Sequence, residues 1–285
     1  MQIGIVMFVT HNTIDIVTLA QKAEALGFES LWIPEHPIYP VQTATPFPGS
    51  ADGTVPEVYK QLLDPFVALA AAATATRRLK VATGICLVPE RNPLLLAKEV
   101  ATLDLVSHGR LLFGIGAGWL REEADILGVD FPHRWTQTRD YIAAMKTLWT
   151  QEEAAYAGTY VRFPPVWCYP KPVQKPHPPI ILGGEARNAL NRVVQWGDGW
   201  LPRGNLLSVD EIAAARKELD RLATAAGRDP RALSISIFRA APDPASNARY
   251  AAAGVDRVLH VLPSLPEAEA LAALEQLAMT VKPGS

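Results

Sequence analysis

Two groups of residues in this chain are spaced for chemistry: an acid beside an imidazole, and glycines at the ends of apolar runs. Glu35-His36 closes the run Ser30-Leu31-Trp32-Ile33-Pro34. A histidine there can shuttle a proton near neutral pH, and Glu35 could fix its tautomer. The plainer alternative for His36 is a hydrogen-bonding residue at the start of a loop. Glycines break the apolar runs at Gly84, at Gly114, Gly116 and Gly118, and at Gly183-Gly184. Backbone without a side chain lets a bound molecule approach closely. Gly183-Gly184-Glu185-Ala186-Arg187 is expected to pass straight into a helix, whose unpaired N–H groups suit a phosphate, with Arg187 adding charge. A tight left-handed turn would equally explain that glycine pair.

The elements that must position these residues alternate. Apolar runs at 2–9, 30–34, 79–85, 110–115, 179–183, 199–202, 233–239 and 257–262 read as eight buried strands. Amphipathic or Ala-rich segments lie between them at about 13–27, 64–76, 93–105, 136–150, 186–196, 209–226, 244–253 and 267–280, with Asp64 and Ser208 as helix caps. That alternation predicts a (β/α)8 TIM barrel occupying residues 1–285 as one domain, with the site at the C-terminal ends of the strands. Residues 37–63, rich in Pro, Gly, Thr and Ser, follow the second strand on that face and read as a substrate lid. Residues 153–178 read as a hairpin followed by a stiff proline-rich approach to the fifth strand. Trp200 is expected inside the barrel, Asp198 in a turn, and Arg203 where an anionic tail would pass. His11 follows the first strand on the same face, within reach of a substrate.

Bulk properties narrow the partners. A net charge of −2 without a basic run argues against nucleic acid and anionic membrane surfaces, leaving a small molecule as the expected partner. No segment reads as a signal peptide or a membrane span, so a cytoplasmic location is expected. Cys86 and Cys168 occupy no metal or disulfide spacing, the histidines are not clustered with acids, and no metal is expected. The motifs of nucleophile-elbow hydrolases, P-loop enzymes and HExxH metalloproteases do not occur.

Several segments taken together carry a resemblance. Ala23-Glu24-Ala25-Leu26-Gly27-Phe28 and Glu35-His36 precede Ala82-Thr83-Gly84-Ile85, Asn92-Pro93 and Ser107-His108-Gly109-Arg110; Gly114-Ile115-Gly116-Ala117-Gly118-Trp119, Pro170-Lys171-Pro172 and Gly197-Asp198-Gly199-Trp200 follow. Nearly end to end, the chain resembles the bacterial luciferase-like monooxygenase superfamily. With Gly-Trp-Leu-Arg-Glu-Glu at 118–123, it is similar to the branch that uses the deazaflavin coenzyme F420.

The resemblance implies a non-prolyl cis peptide at Gly84-Ile85 behind the cofactor ring, with Gly116, Gly118 and Trp119 near it. It implies a phosphate turn at Gly183, Gly184 and Glu185, and His36 assisting the proton or hydride chemistry. Relatives often carry Asp where this chain has Glu35, and the longer acid is expected to hold His36 differently. Coenzyme F420 would make the protein a hydride-transferring oxidoreductase acting on a small organic substrate; FMN would make it an oxygen-using monooxygenase. Lys60, Arg91, Arg187 and Arg203 are the expected counter-charges of the deazaflavin's acidic tail. A barrel enzyme acting on a phosphorylated metabolite without redox chemistry is the third reading. It is disfavoured because no lysine stands at a strand end for a Schiff base. The resemblance also implies a homodimer, although no apolar stripe marks an interface.

Overall fold

The computed structural model describes residues 1–281. In chain order the elements are β1 (Gln2–Met7), α1 (Ile16–Ala25), β2 (Ser30–Ile33), α2 (Pro65–Ala75), β3 (Lys80–Leu87), α3 (Pro93–Val106), β4 (Leu111–Gly116) and α4 (Arg121–Ile126). Then follow α5 (Arg134–Thr150), β5 (Glu153–Ala157), β6 (Arg162–Trp167), β7 (Ile180–Gly183), α6 (Ala189–Trp196), β8 (Gly199–Leu201), α7 (Val209–Ala225), β9 (Ser234–Phe238), α8 (Pro244–Ala252), β10 (Arg257–Leu262) and α9 (Glu267–Val281). Eight parallel strands close in the order β1-β10-β9-β8-β7-β4-β3-β2, while β5 and β6 form the separate antiparallel hairpin. The expected (β/α)8 barrel is therefore the fold.

Each barrel strand is apolar on both faces because helices cover its outside and neighbouring strands its inside. Val6, Trp32, Ala82, Leu112, Ile181, Leu201 and Leu259 form the inner cluster, whereas Ile5, Leu31, Val81, Phe113, Leu182 and Trp200 pack outward into the larger core. Side chains alternate along a strand, so Leu201 takes the inner position expected of Trp200, which lies outside instead. Helix starts are fixed by side-chain caps: Asp15, Asp64, Asn92, Ser208 and Asp243 each accept backbone N–H bonds, and Ser208 with Glu211 forms a capping box. Such caps typically stabilise by about 1 kcal/mol each.

The hairpin is anchored to α5. Asp140 accepts Tyr156 Oη at 2.8 Å and Tyr160 N at 2.7 Å, which pins the turn. Among the described residues no helix is long and apolar enough to cross a membrane.

Candidate active site

A break in β3 builds the floor of the site. Pairing of β3 with β4 shifts register between Thr83 and Cys86, and the Gly84–Ile85 peptide between them is cis. The glycines of β4 accommodate that bulge. A Cβ on Gly114 would stand 2.1 Å from the Thr83 carbonyl oxygen, and one on Gly116 would stand 1.9 Å from Cδ1 of Ile85. Ile85 also spreads toward Gly183, where a Cβ would meet its Cγ2 at 3.2 Å. Two strands thus surrender side chains so that one isoleucine and one peptide can form a platform.

Above this platform is a cavity of about 270 Å³ at the C-terminal ends of the strands. Its walls come from successive elements: Phe8 after β1, His36 after β2, Gly118-Trp119 after β4 and Gly184-Glu185 after β7. Arg203 and Arg239 line it after β8 and β9, and Phe47 and Tyr59 descend from the 37–63 loop. That loop is held by α4, where one oxygen of Glu122 accepts Ala44 N at 2.6 Å and Thr45 N at 3.0 Å. These bonds keep the Glu122 carboxyl at about 2, well below the usual range.

The His36 side chain is 5% exposed, and its Nδ1 lies 2.5 Å from Oε2 of the wholly buried Glu123. A carboxylate only accepts, so Nδ1 carries the hydrogen and Nε2 is the nitrogen left for a substrate. Tyr59 and Trp119 flank the ring with centroids 5.4 and 5.8 Å away. The expectation that Glu35 holds His36 is corrected here. Glu35 accepts Leu87 N at 2.7 Å and Arg91 Nε at 2.6 Å, fastening the segment after β3. Its longer stem reaches Arg91, which also binds Asp64 and Glu99.

Glu90 lies behind Gly118, which lines the cavity. It is buried and neither carboxyl oxygen has a hydrogen-bond partner. Burial, then the charges of Glu123 and Glu35, push its carboxyl up to about 9. Gly118, with φ +78°, passes so close that a Cβ there would lie 2.7 Å from Glu90 Oε1.

The residues expected from sequence divide clearly. Glu35, His36, Gly84, Ile85, Gly116, Gly118, Trp119, Gly183, Gly184 and Glu185 all border the one cavity. Arg187 does not: it is exposed in the turn before α6, which starts at Ala189 rather than directly after Gly184. The direct strand-to-helix turn is therefore absent, and Gly184 with φ +107° leads into a short loop instead. Trp200 Nε1 donates to the Gly184 carbonyl at 2.8 Å and fixes that loop. Of the cations expected for an acidic tail, Lys60 pairs with Glu57 and Arg91 is tied beneath the floor. Arg203 lines the cavity but is clamped by Glu185, with Nη2 2.9 Å from Oε2. Sequence reasoning missed Glu123, Glu90, Arg239, Phe47 and Tyr59. Only Glu123 left a signal, as one of two adjacent acids soon after the β4 glycines.

The model of the luciferase-like monooxygenase family matches residues 1–279, and the chain belongs to that family. An uncharacterized protein of Mycobacterium tuberculosis (strain H37Rv) is 38% identical over 283 residues, covering 98% of each chain. The FMNH2-dependent dimethylsulfone monooxygenase of Pseudomonas putida is 32% identical over 182 residues, 63% of this chain and 49% of that protein. The coenzyme F420-dependent tetrahydromethanopterin reductase of Methanopyrus kandleri has the same fold, with a TM-score of 0.74, 17% identity and 99% of both chains covered. F420-dependent and FMNH2-dependent enzymes thus both stand among the proteins this chain is similar to.

Proposed function

We propose that the protein is an oxidoreductase that binds coenzyme F420 and transfers a hydride to or from a small organic substrate. The observation that carries this reading is the His36–Glu123 pair in the wall of the cavity whose floor is the Gly84–Ile85 platform. The residues present fit a flat ring system. Ile85 and the 84–85 peptide form a surface that any Cβ at Gly116 would displace, and Trp119, Phe47 and Tyr59 supply apolar walls. The deazaflavin, when bound, supplies two-electron chemistry like that of a nicotinamide.

The chain's own residues do the rest. In the direction of alcohol oxidation, His36 Nε2 takes the hydroxyl proton as the carbonyl forms, and Glu123 stabilises the resulting imidazolium. In the reverse direction the same nitrogen returns the proton to the carbonyl oxygen. The 37–63 loop, held by Glu122, covers the cavity and excludes water.

A second reading, a monooxygenase using reduced FMN and oxygen, is favoured by the similarity to the dimethylsulfone monooxygenase. Titrating the purified protein with coenzyme F420 and with FMN, then following reoxidation of each reduced form with and without oxygen, separates the two. Tight F420 binding with reoxidation independent of oxygen is expected. Tight FMN binding with oxygen-dependent product formation would overturn the first reading.

A further inference from the structure

We infer that the substrate is a small carboxylic acid with an apolar body, its carboxylate held by Arg239 across the cavity from the Gly84–Ile85 platform; this rests on reading the cavity as the redox site. The charges around the cavity lead to that class. Apart from the phenol of Tyr59, five charged or ionisable side chains line it among the described residues: Glu35, His36, Glu185, Arg203 and Arg239. Glu35 is tied to Arg91, His36 to Glu123, and Glu185 to Arg203. Among the described residues Arg239 has no acid or hydrogen-bond partner, its guanidinium carbon lying only 5.8 Å from the neighbouring Phe238 ring. Arg239 is thus the cation lining the cavity that has no acid against it, and a single carboxylate supplies that partner. A carboxylate meets the planar guanidinium through two parallel bonds, whereas a doubly charged phosphate group would leave a charge unmatched.

The position follows from the barrel. In the closed ring β9 lies four strands from β3 in either direction, so Arg239, immediately after β9, faces the platform across the barrel mouth. Phe8, Phe47 and Tyr59 line the cavity with it and offer aromatic surface to the body of the acid.

The backbone argues that the side chain, and not the turn, accounts for an arginine at this position. Arg239 has φ +59°, a left-handed conformation that glycine adopts freely and an arginine does not. Its neighbours are fastened on both sides: Gly204 N donates to Phe238 O at 2.7 Å, Phe238 N to Pro202 O at 2.8 Å, and Ala240 N to Leu259 O at 3.0 Å. A bulky charged residue held in that geometry, at the rim of a cavity, marks function more than folding.

The test measures binding of benzoate and of its neutral isostere benzamide to the full-length protein by calorimetry, with and without added cofactor. Benzoate should bind about tenfold or more tightly than benzamide. Arg239→Gln and Arg239→Gly should both abolish that preference while holding cofactor affinity within about twofold. The glycine variant keeps the protein folded, because glycine accepts the same φ, so its loss of benzoate binding cannot be ascribed to unfolding. Equal affinity for the two probes, or no benzoate binding, would overturn the inference. A loss of cofactor affinity in Arg239→Gln would do so too, by giving the guanidinium to the cofactor's acidic tail. If neither F420 nor FMN binds and the benzoate preference persists, the carboxylate site stands and the redox reading falls.

Discussion

His36 Nδ1 and Glu123 Oε2 meet at 2.5 Å, joining the end of β2 to the first turn of α4 across 87 residues of sequence. The contact sets the tautomer of the only histidine that lines the cavity among the described residues, and it gives two acids different tasks. Glu123→Gln keeps the shape but removes the charge that, in the proposed mechanism, stabilises the imidazolium. Its kcat should fall by about 10²-fold with cofactor affinity within about twofold, and His36→Ala should fall at least as far. Glu35→Gln should behave oppositely. It leaves Arg91 short of its buried acid, at a cost of about 3 kcal/mol or more in stability, while turnover per folded molecule changes little. Steady-state kinetics beside urea unfolding separates the two, and matching losses in both variants would return Glu35 to the chemistry.

Glu90 makes the stability of the barrel depend on pH. Its carboxyl is raised from 4.5 to about 9 by burial, with Glu123 and Glu35 adding to the shift. The folded protein therefore holds a proton that the unfolded chain releases above 4.5, and stability falls as pH rises until the folded group ionises near 9. The slope due to this residue is about 1.4 kcal/mol per pH unit in that window. Glu90→Gln removes it. Unfolding midpoints in urea measured from about pH 6 to about pH 8 should decline more steeply for the unsubstituted protein than for the variant. Parallel curves would mean that Glu90 is ionised in the native state.

The platform under the cavity can be disturbed from behind. Gly116→Ala drives a methyl into Ile85 Cδ1 from 1.9 Å and must shift the platform. Gly184→Ala meets nothing within 4 Å but forces alanine to φ +107°. Both should weaken cofactor binding, by about tenfold for Gly116→Ala, and Gly184→Ala should in addition cost about 1 kcal/mol of stability. Fluorescence titration with the cofactor checks the first effect, and unchanged affinity in both would remove the cofactor from this part of the cavity.

The barrel was legible because strands buried on both faces read as largely apolar runs, as in Leu79–Ile85, broken at Gly84, and Arg110–Ile115, followed by Gly116. The cavity's edge followed from those glycines, but their purpose did not. Gly114 and Gly116 clear space for Thr83 and Ile85, a demand visible only once β3 and β4 lie side by side. The cis peptide entered through family resemblance and not through any local pattern. Glu123 was hidden by distance along the chain, and Glu90 by context, since Val-Pro-Glu-Arg-Asn at 88–92 reads as a solvated loop. Arg239 had no signal, because nothing in Ile-Phe-Arg-Ala-Ala at 237–241 demands a left-handed residue. Gly184 has the sequence of a helix entrance, yet α6 starts only at Ala189 because the loop fixed by Trp200 intervenes.

The closing seam of the barrel carries a charge pair whose contribution has the opposite pH dependence. Arg257 at the start of β10 reaches past β1 to Glu29 just before β2, with Nε 2.8 Å and Nη2 2.7 Å from its two oxygens. Burial alone would raise the Glu29 carboxyl, but the Arg257 guanidinium outweighs it and brings the group down from 4.5 to about 2. A depressed carboxyl contributes stability that is complete above 4.5 and is lost as pH falls through about 2. With both side chains largely buried, the shift corresponds to about 3 kcal/mol. Glu29→Gln should be destabilised by about that amount near neutral pH, and the gap should close as pH falls toward about 2, where the unsubstituted glutamate is also protonated. Urea midpoints at about pH 7 and about pH 3 test this. A gap of constant size would show that hydrogen-bond shape, and not charge, holds the seam.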